Sequence, residues 1–358
     1  MKQFYGVAFA LTLLAVPVAA FAQQPETSEI ELAKVTRVLS ESIRNVPGTD
    51  TPATFQTLEA EILEGAEKGR VVTVENDYLN LNAGDRFYLL HAVNTDGLET
   101  YNVQEPYRLP LLAMLTALFV LAVFVFGGRQ GMRGLASLIA SLGAIFFILI
   151  PGILAGYSPI LLAVGVSSLI VGVGSYITHG VNRATSAAVL GMIATIGLTG
   201  ALAFWSVHAG LFSGFASEEV TYLHFSTGGG IDFVGLLLGG ILIGLLGILY
   251  DAAIGQAVTV DELVRAAPHY SRRELYTRAL RVGREHIGAL VNTLAIAYVG
   301  ASLPLLLLLH FSNLSLAATV NQEIFASEIV RTMVGSIGLI LAVPVTTLIA
   351  VWMLRKRG

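Results

Sequence analysis

The sequence predicts an α-helical polytopic membrane protein, with about seven transmembrane helices behind a small N-terminal extracytoplasmic β-rich domain. Three observations predict it. Of 358 residues, 54% are hydrophobic and only 13% charged, where a soluble chain carries about a quarter charged residues. Seven long apolar segments fill the chain after residue 109, at approximately 110–127, 134–151, 158–178, 185–207, 231–250, 287–309 and 332–353. About 20 helical residues cross a ~30 Å hydrocarbon core, and tilt accommodates the rest. Finally, the basic residues alternate between sides. Arg129 and Arg133, then Arg183, then Arg265 through Arg284 share one side, and Arg355, Lys356 and Arg357 end the chain there. The short loops of the other side carry no Lys or Arg until Arg331. By the positive-inside rule the basic side is cytoplasmic. The reading is a multipass membrane protein, with its N-terminal domain outside and a basic tail, 355–358, in the cytoplasm.

Taken in order, residues 1–22 read as a signal peptide or an uncleaved anchor. Lys2 starts it, an apolar stretch follows, and Ala20-Phe21-Ala22 offers a small-x-small cleavage site. Residues 23–53 form a polar lead-in whose pattern allows a helix over 30–43. Residues 54–108 read as a small β-barrel or sandwich, with runs at 70–75, 86–93 and 100–103 between turn-rich stretches at 82–85 and 94–97. Acidic residues outnumber basic ones across 23–108. Residues 109–354 then form the seven-helix membrane domain, interrupted by an external loop at 208–230 and a cytoplasmic loop at 251–286.

Cysteine is absent, which excludes disulfides, iron–sulfur clusters and Cys-ligated zinc. No G-x-x-x-x-G-K-[ST] loop occurs, so the chain does not hydrolyse ATP by that route. No histidine–carboxylate spacing marks a metal site, because His208, Glu218, Glu219 and His224 read better as solvated loop residues. Neither a cofactor nor a nucleic-acid partner is expected.

The fifth and sixth segments hold the candidate functional residues. Gly240, Gly244, Gly247, Asp251 and Gly255 fall on one helical face. Such a glycine stripe suits close approach of another helix, and a carboxylate on it is costly in lipid. Asp251 is therefore a candidate intramembrane charge, or simply a marker of the inner interface. The sixth segment carries a second small-residue stripe, Ala289, Thr293, Ala297, Gly300 and Pro304, with Asn292, Tyr298 and Ser302 on other faces. Pro304 lacks an N–H and should kink this helix. Kinked polar helices build mid-membrane sites in transporters, and also serve as packing devices.

Within the cytoplasmic loop, Ser271 and Glu274 form a capping box after Pro268. The helix they start places Leu275, Ala279 and Val282 on one side and Arg272, Arg273, Arg278, Arg281 and Arg284 around the rest. The basic face fits anionic lipid headgroups of the bilayer, or docking of an unidentified membrane or ATPase subunit.

Gly247-Ile-Leu-Tyr-Asp251, Ser271-Arg-Arg-Glu-Leu275 and the run from Asn292 through Tyr298, Gly300 and Ser302 to Pro304 resemble the YibE/F family of bacterial multipass membrane proteins. The plan of signal or anchor, short external domain and about seven helices is similar as well. The resemblance spans roughly residues 60–353 and implies architecture rather than a defined activity, transport being the usual expectation.

Two enzyme readings fail on geometry. Gly300-Ala301-Ser302 resembles the neighbourhood of an intramembrane serine nucleophile, but His91, His179, His208, His224, His269, His286 and His310 all lie in the ectodomain, loops or helix ends. A serine nucleophile needs a base within hydrogen-bond reach. Tyr250-Asp251 resembles an intramembrane aspartyl motif, yet Asp232 lies about 28 Å away along the same helix. The expectation is a non-enzymatic permease or transporter-like protein for an unknown solute or ion. The alternative is a scaffold or envelope-assembly protein acting through its external domain.

Overall fold

The computed structural model describes residues 27–45, 51–77, 79–93 and 99–355. The signal at 1–22 and the tail residues Lys356 and Arg357 lie outside these. The chain divides into two compact units, Met1–Ala122 and Val123–Gly358, each considered by itself.

The first unit is a closed five-stranded barrel. Its strands are β1 (Thr27–Asn45), β2 (Pro52–Ile62), β3 (Val71–Asn76), β4 (Arg86–Val93) and β5 (Glu99–Pro106), in the order β1-β2-β3-β5-β4. All neighbours are antiparallel except β3 and β5, which pair in parallel at Glu75 and Asn102. A closed sheet leaves no unpaired edge. The 19-residue β1 closes it, because its first half pairs with β4 and its second half with β2.

This strand corrects the helix expected over residues 30–43. Register shifts between Val35 and Arg37 and between Val38 and Ser40 break the two-residue alternation that would mark a strand in sequence. Alternation is clean in β3, where Val72 and Val74 point inward. Ala33, Val35, Leu58, Ala60, Ile62, Val74, Phe87 and Leu89 are wholly buried and form the barrel core. Gln56, Asn76 and Glu31 are the buried polar side chains of the barrel among the described residues. The buried amide of Gln56 accepts from Asn76 Nδ2 and from the Leu81 amide, both at 2.9 Å, and donates to Asn80 Oδ1 at 2.6 Å.

The second unit is a helical bundle, and the helix that begins at Leu109 enters it at Val123. After α1 (Leu109–Ala144), a π-helical turn and α2 (Ile150–Leu154) come α3 (Pro159–His179), α4 (Arg183–Ala209) and the short α5 (Glu218–Ser226). These are followed by α6 (Phe233–Ala266), α7 (Arg272–Ala301), α8 (Leu303–Phe311), α9 (Leu316–Val320) and α10 (Glu323–Leu354). Among the described residues, five helices are long and apolar enough to cross a membrane, or up to six if α7 and α8 count as one bent span. The segments expected at 110–127 and 134–151 fall in a single helical run, Leu109–Leu154. That run is broken at Gly128, whose φ of +52° and ψ of −137° are not helical. A Cβ on Gly131 would lie 2.6 Å from the Val123 carbonyl oxygen, whereas residues eight apart in a straight helix are about 12 Å apart. The run therefore bends sharply at Gly128, a conformation that suits glycine.

The core centres on α10, which packs against α4, α6 and α7. Its antiparallel crossing with α4 is set by two reciprocal pairs. Gly191 has no room for a Cβ beside Thr346, and eight residues along Gly338 has none beside Thr199. Small residues bring the backbones together, as expected where apolar burial offers little driving force.

The helix expected to start at Ser271 and most of the sixth segment prove to be one helix, α7. Ser271 caps it, and the capping box with Glu274 is complete. Leu275, Ala279 and Gly283 form its buried face, whereas Val282 is exposed. Buried positions four apart follow the i, i+4 ridge, and Val282 falls off it.

Candidate functional site

The site forms where α7 ends. Between α7 and α8 the helix axis turns by 66°. Ser302 sits at the break, and Leu303-Pro304 begin α8. Proline fits a first helical turn, where no N–H is needed, and restarts the helix in the new direction.

Facing the break is α10, which carries Glu328 and Arg331. Ser302 Oγ donates to Glu328 Oε2 at 3.3 Å. Arg331 pairs with Glu328 Oε1 at 3.4 Å, one turn further along. Both charged side chains are mostly covered, 26% and 30% exposed. The Tyr298 hydroxyl lies one turn before Ser302 against α6, where a Cβ on Gly244 would meet it at 2.7 Å. Four polar groups, Ser302, Glu328, Arg331 and Tyr298, thus gather at the break, with unused capacity: Tyr298 Oη and Arg331 Nε are buried and find no partner among the described residues. A paired carboxylate and guanidinium with two spare donors beside them can hold an anionic or hydrogen-bond-accepting solute.

Sequence reasoning placed Tyr298, Ser302 and Pro304 here but missed Glu328 and Arg331. The signal was present, since these are charges at the edge of an apolar run, but Arg331 read as the mouth of the last segment.

The remaining expected residues lie elsewhere. Asp251, Asn292 and Thr293 are exposed on the bundle surface. Thr293 Oγ1 bonds its own helix at Ala289 O, 2.9 Å, and no hydrogen bond or ion pair joins the three. Antiparallel α6 and α7 have Gly244 facing Tyr298 and Gln256 facing Gly283. Asp251 is consequently level with residues near 290, within about a turn of Asn292.

The glycine stripe does not meet a neighbouring helix as expected. Gly240, Gly247 and Gly255, and Gly300 on α7, have nothing within 4 Å of a would-be Cβ. Only Gly244 packs closely. The buried face of α6 is instead lined by Leu238, Ile241, Leu242, Leu245 and Leu249, because bulk rather than smallness fills this core.

Arg272, Arg273, Arg278, Arg281 and Arg284 are all exposed, and Arg278 stacks over the Tyr270 ring at 4.5 Å. A polar pocket lined by His179, Asn182, Asp261 and Arg265 lies about 25 Å further along α6 than Gly244.

The profile of the YibE/F-like protein family matches residues 115–356. The chain belongs to this family. The match covers all the residues of this site, from Gly244 to Arg331. No curated protein and no solved structure matches the chain.

Proposed function

We propose that this YibE/F-like protein is a permease-like, non-enzymatic protein of the bacterial inner membrane that moves an unidentified solute or ion. The observation that carries the reading is the Ser302–Glu328–Arg331 cluster at a 66° helix break inside an apolar bundle. Charges within membrane segments are costly and mark substrate or ion pathways, and broken helices build such sites. Asp251, with Asn292 and Thr293 level with it, supplies a second set of polar groups in this proposal, and Asp251 is its titrating charge.

Proteoliposomes carrying wild type, Glu328→Gln or Asp251→Asn test it, with internal pH followed while a panel of ions and small solutes is applied. Solute-dependent flux in wild type that Glu328→Gln abolishes is the expected result. Flux unchanged in Glu328→Gln, or none in correctly folded wild type, rejects the reading. Loss in Asp251→Asn adds proton coupling at Asp251, and full activity removes it from that role.

The seven-span arrangement, with the N-terminal domain outside and the tail inside, belongs to the same proposal. It is supported by the break at Gly128, which divides Leu109–Leu154 into two helices, and by the bent pair taken as one span. The chain has no cysteine, so single cysteines can be introduced at Arg129 and Gly156 and labelled in intact cells. Gly156 should label from outside and Arg129 only after permeabilisation; the same response at both positions would contradict seven spans. The exposed arginines of α7 are assigned to anionic headgroups or to an energising subunit.

The closed barrel, with a core of its own, favours one second reading, a scaffold acting through its external domain. Function retained after deletion of residues 23–108 would exclude it.

A further inference from the structure

We propose that the barrel holds a divalent transition-metal ion, of the zinc class, between Glu31, Glu67 and His91. The three residues lie far apart in sequence, on β1, the β2–β3 loop and β4. Folding brings one donor atom from each within 4.8 Å of the others. Glu31 is only 4% exposed, and neither of its carboxylate oxygens has a partner among the described residues. His91 Nε2 is buried and equally unpartnered. A desolvated carboxylate without a partner is among the costliest groups a fold can bury, and a cation is the natural complement of two carboxylates and an imidazole.

The surroundings are built around these donors. The loop lies directly on Glu31, since a Cβ at Gly65, whose φ is +96°, would overlap Glu31 Oε1. Leu63 N bonds Leu32 O at 2.7 Å and ties the loop to β1. Glu67 is oriented by Arg70 and by the Tyr101 hydroxyl at 3.1 Å. The Tyr101 ring stacks on His91 with centroids 4.6 Å apart, which fixes the imidazole plane. Supporting groups of this kind aim the ligands of metal sites.

Size fits with a small contraction. An ion about 2.0–2.2 Å from each donor draws tetrahedral ligands to roughly 3.4 Å from one another, a contraction of at most about 1.4 Å from the 4.8 Å within which they now lie. Rotation of the Glu67 side chain on its loop can supply that movement. Three protein ligands leave the fourth position to water or to an exogenous group. This inference is independent of the transport reading, because all three residues belong to the first unit.

The test uses full-length protein in detergent, stripped with a chelator and titrated with Zn²⁺ against a fluorescent competitor. One ion per wild-type chain is expected, with affinity reduced about 100-fold in Glu31→Gln and in His91→Phe, which keeps the stack on Tyr101, and about 10-fold in Tyr101→Phe. Absence of stoichiometric binding, or equal affinity in folded variants, overturns the site. X-ray absorption on the zinc-loaded wild type decides independently of any variant's folding. One imidazole with oxygen donors supports the assignment, and two or more imidazoles place the ion elsewhere and reject it.

Discussion

Ser302 Oγ reaches Glu328 Oε2 at 3.3 Å across the break between α7 and α8. The contact joins the bend in one helix to the ion pair on another, so the geometry of the turn and the position of the charge are coupled. Removal of the hydroxyl in Ser302→Ala should cost about 1.5–3 kcal/mol for a hydrogen bond to a charged group, discounted toward the lower end because Glu328 also pairs with Arg331. Glu328→Ala should cost more, because it leaves Arg331 largely buried without its carboxylate. Thermal unfolding in detergent measures both. If Ser302→Ala destabilises as much as Glu328→Ala, the hydroxyl holds more than this one bond.

The crossing of α4 and α10 gives a sharper expectation. Gly191 leaves no space for a side chain beside Thr346, so Gly191→Leu must push α10 away along its length. Overpacking of this kind costs about 1–3 kcal/mol or more. Gly240→Leu, on the exposed face of α6 with nothing within 4 Å, should change stability by less than about 0.5 kcal/mol. Equal loss in both variants would show that the α6 stripe is covered in the membrane, for example by a second copy of the chain.

These contrasts mark what the sequence discloses. Apolar length makes a helix legible, so α3 and α4 fall where hydropathy puts them, whereas α6 runs on past the expected 250 to Ala266 and α10 begins at Glu323, before the expected 332. Capping chemistry is local, and Ser271 and Glu274 announce the start of α7 without any tertiary information. Facing is not local. Gly240, Gly247 and Gly255 read as a contact stripe because smallness permits close approach, but which face meets a neighbour depends on the other helices. The bulges in β1 similarly hide a strand by shifting its phase at Val35 and Val38. For the same reason Glu31, Glu67 and His91 gave no motif, since only barrel closure makes them neighbours.

The break at Gly128 allows a direct test. With φ at +52° and ψ at −137°, a branched side chain there is strained by about 1–3 kcal/mol. Gly128→Val should lower thermal stability by that order and favour a straighter run from Leu109 to Leu154. Gly134→Val, in the same run with open space at its Cβ, is the control. Similar stability in the two variants would mean that the bend is held by other contacts.

Barrel stability should depend on pH through Glu99 and Tyr101. Glu99 accepts from the Tyr101 hydroxyl at 2.9 Å and pairs with Arg70 at 3.1 Å. These two contacts, the first the larger, hold its carboxyl below the usual range. A depressed carboxylate contributes stability above its unfolded pKa of about 4.3, and loses it as pH falls through the lower folded value. The phenol of Tyr101 is displaced the other way, upward, by burial first and then by its bonds to Glu99 and Glu67. Its contribution is full below about pH 10 and declines as pH rises from there toward the folded value, because the unfolded phenol ionises first. Protection of the barrel amides from hydrogen exchange, taken relative to the intrinsic exchange rate at each pH, should therefore fall below about pH 4 and above about pH 10. Tyr101→Phe removes the larger hold on Glu99 and the phenol itself, so it should weaken the acid response and abolish the part of the alkaline response due to this residue. Retention of both responses in the variant would assign them to other groups, and would detach Tyr101 from the electrostatics of Glu67 and Glu99.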